Sequence, residues 1–235
     1  IRMFMPMFYD PYFWVILISI AISSWASINV NSTFGRYADV NNHNNITGAE
    51  AAEMILANVG IQDVKIQPIS GQLTDNYNPQ TKILSLSEPV YNSTSISAVG
   101  VAAHEVGHAI QDHTQYAPMT FRSALVPVVN LGSNLAMPLI LIGLFFGLNQ
   151  IFIKAGILCF AAVLVFQLVT LPVEFNASAR ALKQLKITGI LDNQELSSGR
   201  KVLTAAALTY VAAVVSSLLQ IFHLILLFGN HNHDN

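Results

Sequence analysis

The sequence predicts a mainly α-helical membrane protein with about four transmembrane helices and a small α+β domain. Composition predicts the membrane part: of 235 residues 53% are hydrophobic and 10% charged, with a mean hydropathy of +0.50, whereas a soluble domain carries about 25% charged residues. The placement of charge sharpens the reading, because Ser123–Ile153 is uncharged and long apolar runs recur elsewhere. Between the runs lie polar stretches with strand alternation and one helix carrying His104-Glu105-Val106-Gly107-His108. Together these exclude a disordered chain. A net charge of −2 gives no case for nucleic acid. Cys159 is the single cysteine, which excludes a disulfide scaffold.

The first span, about Pro11–Val30, reads as an uncleaved helix. It has no basic n-region beyond Arg2, and Trp25 stands where small cleavage-site residues would be needed. Because the sequence starts at Ile1, a partial or processed chain is expected. The region 31–122 follows. Thr47-Gly48-Ala49-Glu50 is a capping box for a helix that Gly60 closes. Val64–Gln67 and Lys82–Leu86 alternate as strands, and Asp75–Pro79 between them is a turn signal, so a hairpin or small sheet is expected. The segment 96–111 is a helix of small and apolar residues.

The second span lies within 123–153 and the third covers 151–173, joined by the tight turn Gly147-Leu148-Asn149-Gln150, so the two form an antiparallel pair. Asn130 and Asn134 in the second span share a helix face, which should point to protein or a polar cavity rather than lipid. Residues 174–201 form a polar membrane-surface segment, and the fourth span runs from about 202 to 228 before a short tail. Its Thr204, Thr209, Tyr210, Ser216, Ser217, Gln220 and His223 are expected to hydrogen-bond between helices.

The chemistry concentrates in His104, Glu105 and His108. Residues four apart on a helix lie one above the other, so both imidazoles can reach one metal ion. Three costly polar groups in an otherwise apolar helix also need a reason. Glu105 is placed to act as base on a water, the H-E-x-x-H arrangement of zinc hydrolases. A catalytic zinc usually has three protein ligands. The metzincin continuation fails, because Gln111 and Thr114 stand where glycine and histidine are required. Asp39, Asp75 and Glu88 remain open, but Glu174 is better placed. Two spans separate it from His108, so the chain returns to the same side of the membrane. The bland alternative pairs Glu174 with Arg180 or Lys183.

Phe8-Tyr9-Asp10-Pro11, Leu73-Thr74-Asp75, His104–Gln111, Arg122–Pro127, Pro172–Ser178 and the Ala205–Tyr210 run resemble the bacterial YugP-type membrane zinc metallopeptidases over about residues 7–227. The resemblance implies that the small α+β domain, residues 31–122, is a zincin-like catalytic domain, and it implies one Zn2+ per chain, zinc peptidase activity of gluzincin type, and a bacterial plasma membrane. The arrangement is also similar to the HtpX and CAAX-prenyl-protease families, which implies His104, His108 and Glu174 as ligands and Glu105 as the base. Those families carry an aspartate where this chain has Ser178, so the contact that aspartate makes is in question.

The reading is therefore a membrane-embedded endopeptidase acting on a peptide or membrane-protein substrate, with the lipid bilayer as its other partner. A non-catalytic membrane scaffold retaining a zinc site is the rival. Arg180, Tyr77, Tyr210 and His113 are candidates for steadying the oxyanion, and strand Ile83–Leu86 is a candidate for holding substrate by strand addition. Of 11 Lys and Arg, nine fall in 31–122 and 174–201. The positive-inside rule then expects a cytoplasm-facing site at the membrane surface. The sequence leaves oligomeric state open.

Overall fold

The computed structural model describes residues 10–228; Phe8 and Tyr9 of the Phe8–Pro11 run and the C-terminal tail lie outside them. The elements, in chain order, are α1 (Phe13–Ala38), α2 (Gly48–Asn58), β1 (Lys65–Ile69), β2 (Asn76–Asn78), β3 (Ile83–Ser87), α3 (Glu88–Tyr91), α4 (Ile96–His113), α5 (Ala117–Phe145), α6 (Gln150–Ile187) and α7 (Asn193–Phe228). Four of these, α1, α5, α6 and α7, are long and apolar enough to cross a membrane. The chain is mainly α-helical with a small α+β part, as composition and patterning required. It divides into two compact units.

One unit comprises residues 10–26, 122–169 and 210–228. The turn between α5 and α6 uses positive φ at Gly147 and Leu148, and Asn149 accepts a hydrogen bond from the Ile151 N–H. The two helices then run back closely enough that a Cβ on Gly156 would lie 2.8 Å from the Ala136 carbonyl oxygen. Ser216 of α7 bridges to α1, as expected of hydrogen bonds between helices, with its Oγ 2.8 Å from Ser23 Oγ, while His223 Nε2 lies 2.6 Å from Oδ2 of Asp10, which precedes α1. Asp10 also accepts from the Tyr12 N–H at the start of α1. Thr209 instead bonds within its own helix, to the Ala206 carbonyl.

The other unit comprises residues 27–121 and 170–209. The capping box forms as the sequence requires, with the Thr47 side chain accepting from the Glu50 N–H and Glu50 accepting from the Thr47 N–H. Hydrogen bonding to Thr47 holds the exposed Glu50 carboxyl below its usual pKa. A hydrophobic core joins Ile55 of α2, Leu84 and Leu86 of β3, Val99 and Val106 of α4, and Ala181 and Leu185 of α6.

The three strands form one sheet in the order β1-β3-β2. The two expected strands pair in parallel rather than as a hairpin, with Lys65 opposite Ile83 and Ile69 opposite Ser87. The stretch expected to be only a turn supplies β2, antiparallel to β3, with Tyr77 opposite Leu84. Its Asn-Tyr-Asn sequence favours turns, but the Tyr77 hydroxyl donates to Asp112 Oδ2 at 2.6 Å and ties the segment to α4. The reversal falls just after it, where Asn78 accepts from the Gln80 N–H and Lys82 has φ of 55°. Strand β3 lies in the centre of the sheet. Its backbone is paired with β1 throughout and with β2 over Ile83–Ser85, so there it offers no free edge for the substrate strand expected on Ile83–Leu86.

Helix α6 continues through residues 174–187 without a break. Ala177, Ala181 and Leu185 recur every four residues on its buried side, so packing sustains the helix beyond the apolar run.

Candidate metal centre

Helix α4 starts at Ser95, whose side chain accepts from the Ala98 N–H. Ser97 of its first turn donates to the Phe34 carbonyl of α1 at 2.7 Å. Two turns further on, His104 and His108 project one above the other, with ring centroids 4.8 Å apart and planes at 84°. Helix α6 brings Glu174 against both, with Glu174 Oε2 at 3.2 Å from His104 Nε2 and 3.5 Å from His108 Nε2.

The three donor atoms lie within 4.8 Å of one another. Donors held about 2.0–2.2 Å from a tetrahedral zinc stand roughly 3.3–3.6 Å apart, so the separations to Glu174 fit that ion. Two imidazoles and one carboxylate are also a donor set that zinc accepts while keeping a position for water.

A family model described as "Putative neutral zinc metallopeptidase" matches residues 12–229. The chain is also 44% identical to the Bacillus subtilis (strain 168) protein named "Putative membrane protease YugP", over 217 residues that cover 92% of this chain and 96% of that one. The chain belongs to this zinc metallopeptidase family. No solved structure matches it.

The close approach of α4 and α6 explains how this metallopeptidase brings its donors together. A Cβ on Gly107 would stand 2.4 Å from the Ala177 carbonyl oxygen and 3.1 Å from its Cα. Real Cβ atoms essentially never come that near. Only glycine therefore lets the two backbones meet beside His108. Glu174 sits one turn before this contact on α6.

The far nitrogen of each imidazole is also held. His104 Nδ1 lies 3.1 Å from Ser178 Oγ, and His108 Nδ1 lies 3.0 Å from Gln111 Oε1. The Ser178 hydroxyl, where the more distant families were expected to carry aspartate, is thus in hydrogen-bond range of His104. Gln111 is fully buried, and its Nε2 donates to the Val173 carbonyl at 2.7 Å and to Asn176 Oδ1 at 3.1 Å. Its oxygen can only accept, so His108 Nδ1–H is the donor and the other nitrogen of His108 faces Glu174. The sequence reading named Gln111 only as breaking the metzincin pattern; its spacing of three from His108 on one helix was the available signal for this role.

Glu105 is buried, with 8% of its surface exposed. Burial raises its carboxyl above the usual range, opposed by His108 and His104 and assisted by Glu174 and Asp75. For His108, burial alone would lower the pKa; the Glu174 hydrogen bond and the charges of Glu105 and Glu174 outweigh it, so the imidazole is raised.

The remaining candidates differ in their surroundings. Arg180 donates through Nε to Asn176 Oδ1 at 2.7 Å, and its guanidinium lies 5.8 Å from the Tyr116 ring. It therefore does not hold Glu174 in the bland pairing. Tyr77 is bonded to Asp112, and burial together with that carboxylate pushes its hydroxyl pKa up. Tyr210 belongs to the other unit of the chain. His113 is exposed at the end of α4. Of the other carboxylates weighed as third donor, Asp75 accepts from the Ser87 N–H and hydroxyl, while Asp39 and Glu88 are exposed. His43, Asp192 and Glu195 form a second grouping with metal-like spacing. Its carboxylates cap α7 and bond the His43 backbone, which accounts for them without an ion.

Proposed function

We propose that this protein is a membrane-embedded zinc endopeptidase whose metal is held by His104, His108 and Glu174 and whose general base is Glu105. The observation that carries the reading is the convergence of Glu174 Oε2 on both imidazole Nε2 atoms at 3.2 and 3.5 Å, with a buried carboxylate next to His104 in sequence.

When bound, zinc supplies a Lewis acid that acidifies a water and polarises a carbonyl. Glu105 takes the proton of the attacking water and passes it to the leaving amine, so one carboxyl serves as base and then as acid. Ser178 and Gln111 keep the imidazoles turned so that both Nε2 atoms face Glu174. Peptide segments of membrane proteins are the proposed substrate class, since four helices long enough to span a bilayer anchor the chain.

We further propose a site on the cytoplasmic face of a bacterial plasma membrane. The short stretch 174–201 carries Arg180, Lys183, Lys186, Arg200 and Lys201, and basic residues near span ends favour the cytoplasm. A cysteine at Asn193, with Cys159 removed, should resist an impermeant thiol reagent in intact cells; ready labelling would place it outside. For the ligand set, Glu174→Ala should lower zinc occupancy and peptide cleavage together. Full occupancy with full cleavage would assign the third position to another carboxylate.

A further inference from the structure

Helix α5 presents two faces. Val129, Gly132, Ala136 and Ile140 are buried, with Gly132 near the Cys159 backbone and Ile140 in a core cluster that includes Ile153 of α6. On the other side Ser123, Pro127, Asn130, Asn134, Met137 and Leu141 are all exposed, Met137 at 51% and Leu141 at 55%. Their spacing is four, three, four, three, four. That is the heptad seam by which one helix packs lengthwise against another at a crossing near +20°.

The seam is polar where a span should be apolar. Asn130 and Asn134 lie about 12 and 18 Å along the helix from Arg122, near the middle of a hydrocarbon core about 30 Å thick. Neither carboxamide has a partner among the described residues. Pro127 and Pro138 add to the demand, since each lacks an N–H and deprives the carbonyl four residues earlier of its helical donor. Those carbonyls belong to Ser123 and Asn134, both on the seam. Lipid tails offer no hydrogen bond, so the shared face expected to point at protein or a cavity finds no such partner among the described residues.

We propose that this seam pairs with the same seam of a second copy, forming a parallel α5–α5 dimer within the membrane. A carboxamide both donates and accepts, so Asn130 can pair with its own symmetry mate, and so can Asn134. Copies inserted in one membrane share an orientation, and a two-fold axis along the bilayer normal brings identical residues together at equal depth. A foreign helix would need polar groups at both of those depths, whereas a second copy has them by construction. Polar residues at heptad core positions fix register and favour a defined oligomer.

The test is association, which does not depend on the zinc reading. In the full chain with Cys159→Ala, Met137→Cys should cross-link to a dimer-sized product in native membranes under oxidation. Val128→Cys, 57% exposed on another side of α5, should not. In lipid vesicles, energy transfer between labelled copies should show self-association that Asn130→Leu with Asn134→Leu weakens by about tenfold or more. Absence of the Met137→Cys dimer, equal cross-linking at Val128→Cys, or cross-linking only to a different protein would each overturn the proposal. Self-association unchanged in the double leucine variant would do so as well.

Discussion

Replacing Gly107 with alanine tests whether the approach of α4 to α6 is what assembles the metal centre. The added Cβ would stand 2.4 Å from the Ala177 carbonyl oxygen, against about 3.4 Å for ordinary contact, so about 1 Å must be made up. The obstructing atoms are backbone and cannot rotate aside. The helices must separate or tilt, and Glu174 is carried with α6 while His104 and His108 stay with α4. Zinc sites hold their distances to about 0.2 Å, so a shift of about 1 Å takes the carboxylate out of bonding range. Strain of this kind costs about 1–3 kcal/mol, less up to about 1 kcal/mol returned by the better helix propensity of alanine. The assay is zinc retained per chain against a competing chelator, with peptide cleavage and thermal unfolding measured on the same samples. Gly107→Ala should lose zinc at chelator levels that leave the wild type loaded, and lose cleavage with it. Gly100→Ala is the control, because Gly100 is also buried in α4 yet its added Cβ meets nothing within 4 Å. That variant should keep its zinc and match or exceed wild-type stability. A Gly107→Ala protein with wild-type zinc affinity and cleavage would refute the argument.

Two further outcomes follow from the groups around the donors. Gln111→Ala should weaken zinc binding by about 10–100-fold, because His108 loses the acceptor that orients it; unchanged affinity in a competition titration would assign Gln111 to packing alone. In the metal-free protein the raised carboxyl of Glu105 has a sign consequence. A carboxyl that binds its proton more tightly folded than unfolded adds stability at low pH, and that stability is lost as pH rises from the ordinary carboxylate range through the raised value. Glu105→Gln removes the effect, so its advantage in thermal stability over the metal-free wild type should grow with pH across that window. An advantage that shrinks with pH would contradict the burial argument.

Much of this was legible because membranes and metals impose strict patterns. Apolar runs of fixed length pointed to the four helices long and apolar enough to cross a membrane, and Thr47 with Glu50 marked a helix start that the structure repeats. His104, Glu105 and His108 announced themselves as polar groups in an apolar helix. Glu174 was singled out on the expectation that two spans return the chain to its starting side, and the structure brings it within 3.5 Å of both imidazoles. What the sequence hid was set by tertiary contact. Asn76–Asn78 reads as a turn, and Tyr77 bonding to Asp112 is part of what holds it beside β3 as a strand. Residues 174–187 read as a polar surface segment, yet alanines and a leucine every fourth residue keep α6 going. Gln111 was noticed only for failing a longer histidine motif, because its three partners lie on two helices separated by 61 to 64 intervening residues or one turn away on its own.

The most direct test of the central claim compares purified wild type and Glu105→Gln for zinc content and for cleavage of casein or a peptide. Both proteins should carry about one zinc per chain, because His104, His108 and Glu174 are unchanged. The wild type should cleave, should stop when a chelator strips the metal and should recover when zinc returns. Glu105→Gln should lose about 10²–10⁴-fold in rate with its zinc in place. Cleavage by Glu105→Gln at the wild-type rate, or a wild type that cleaves fully with its zinc removed, would contradict the account.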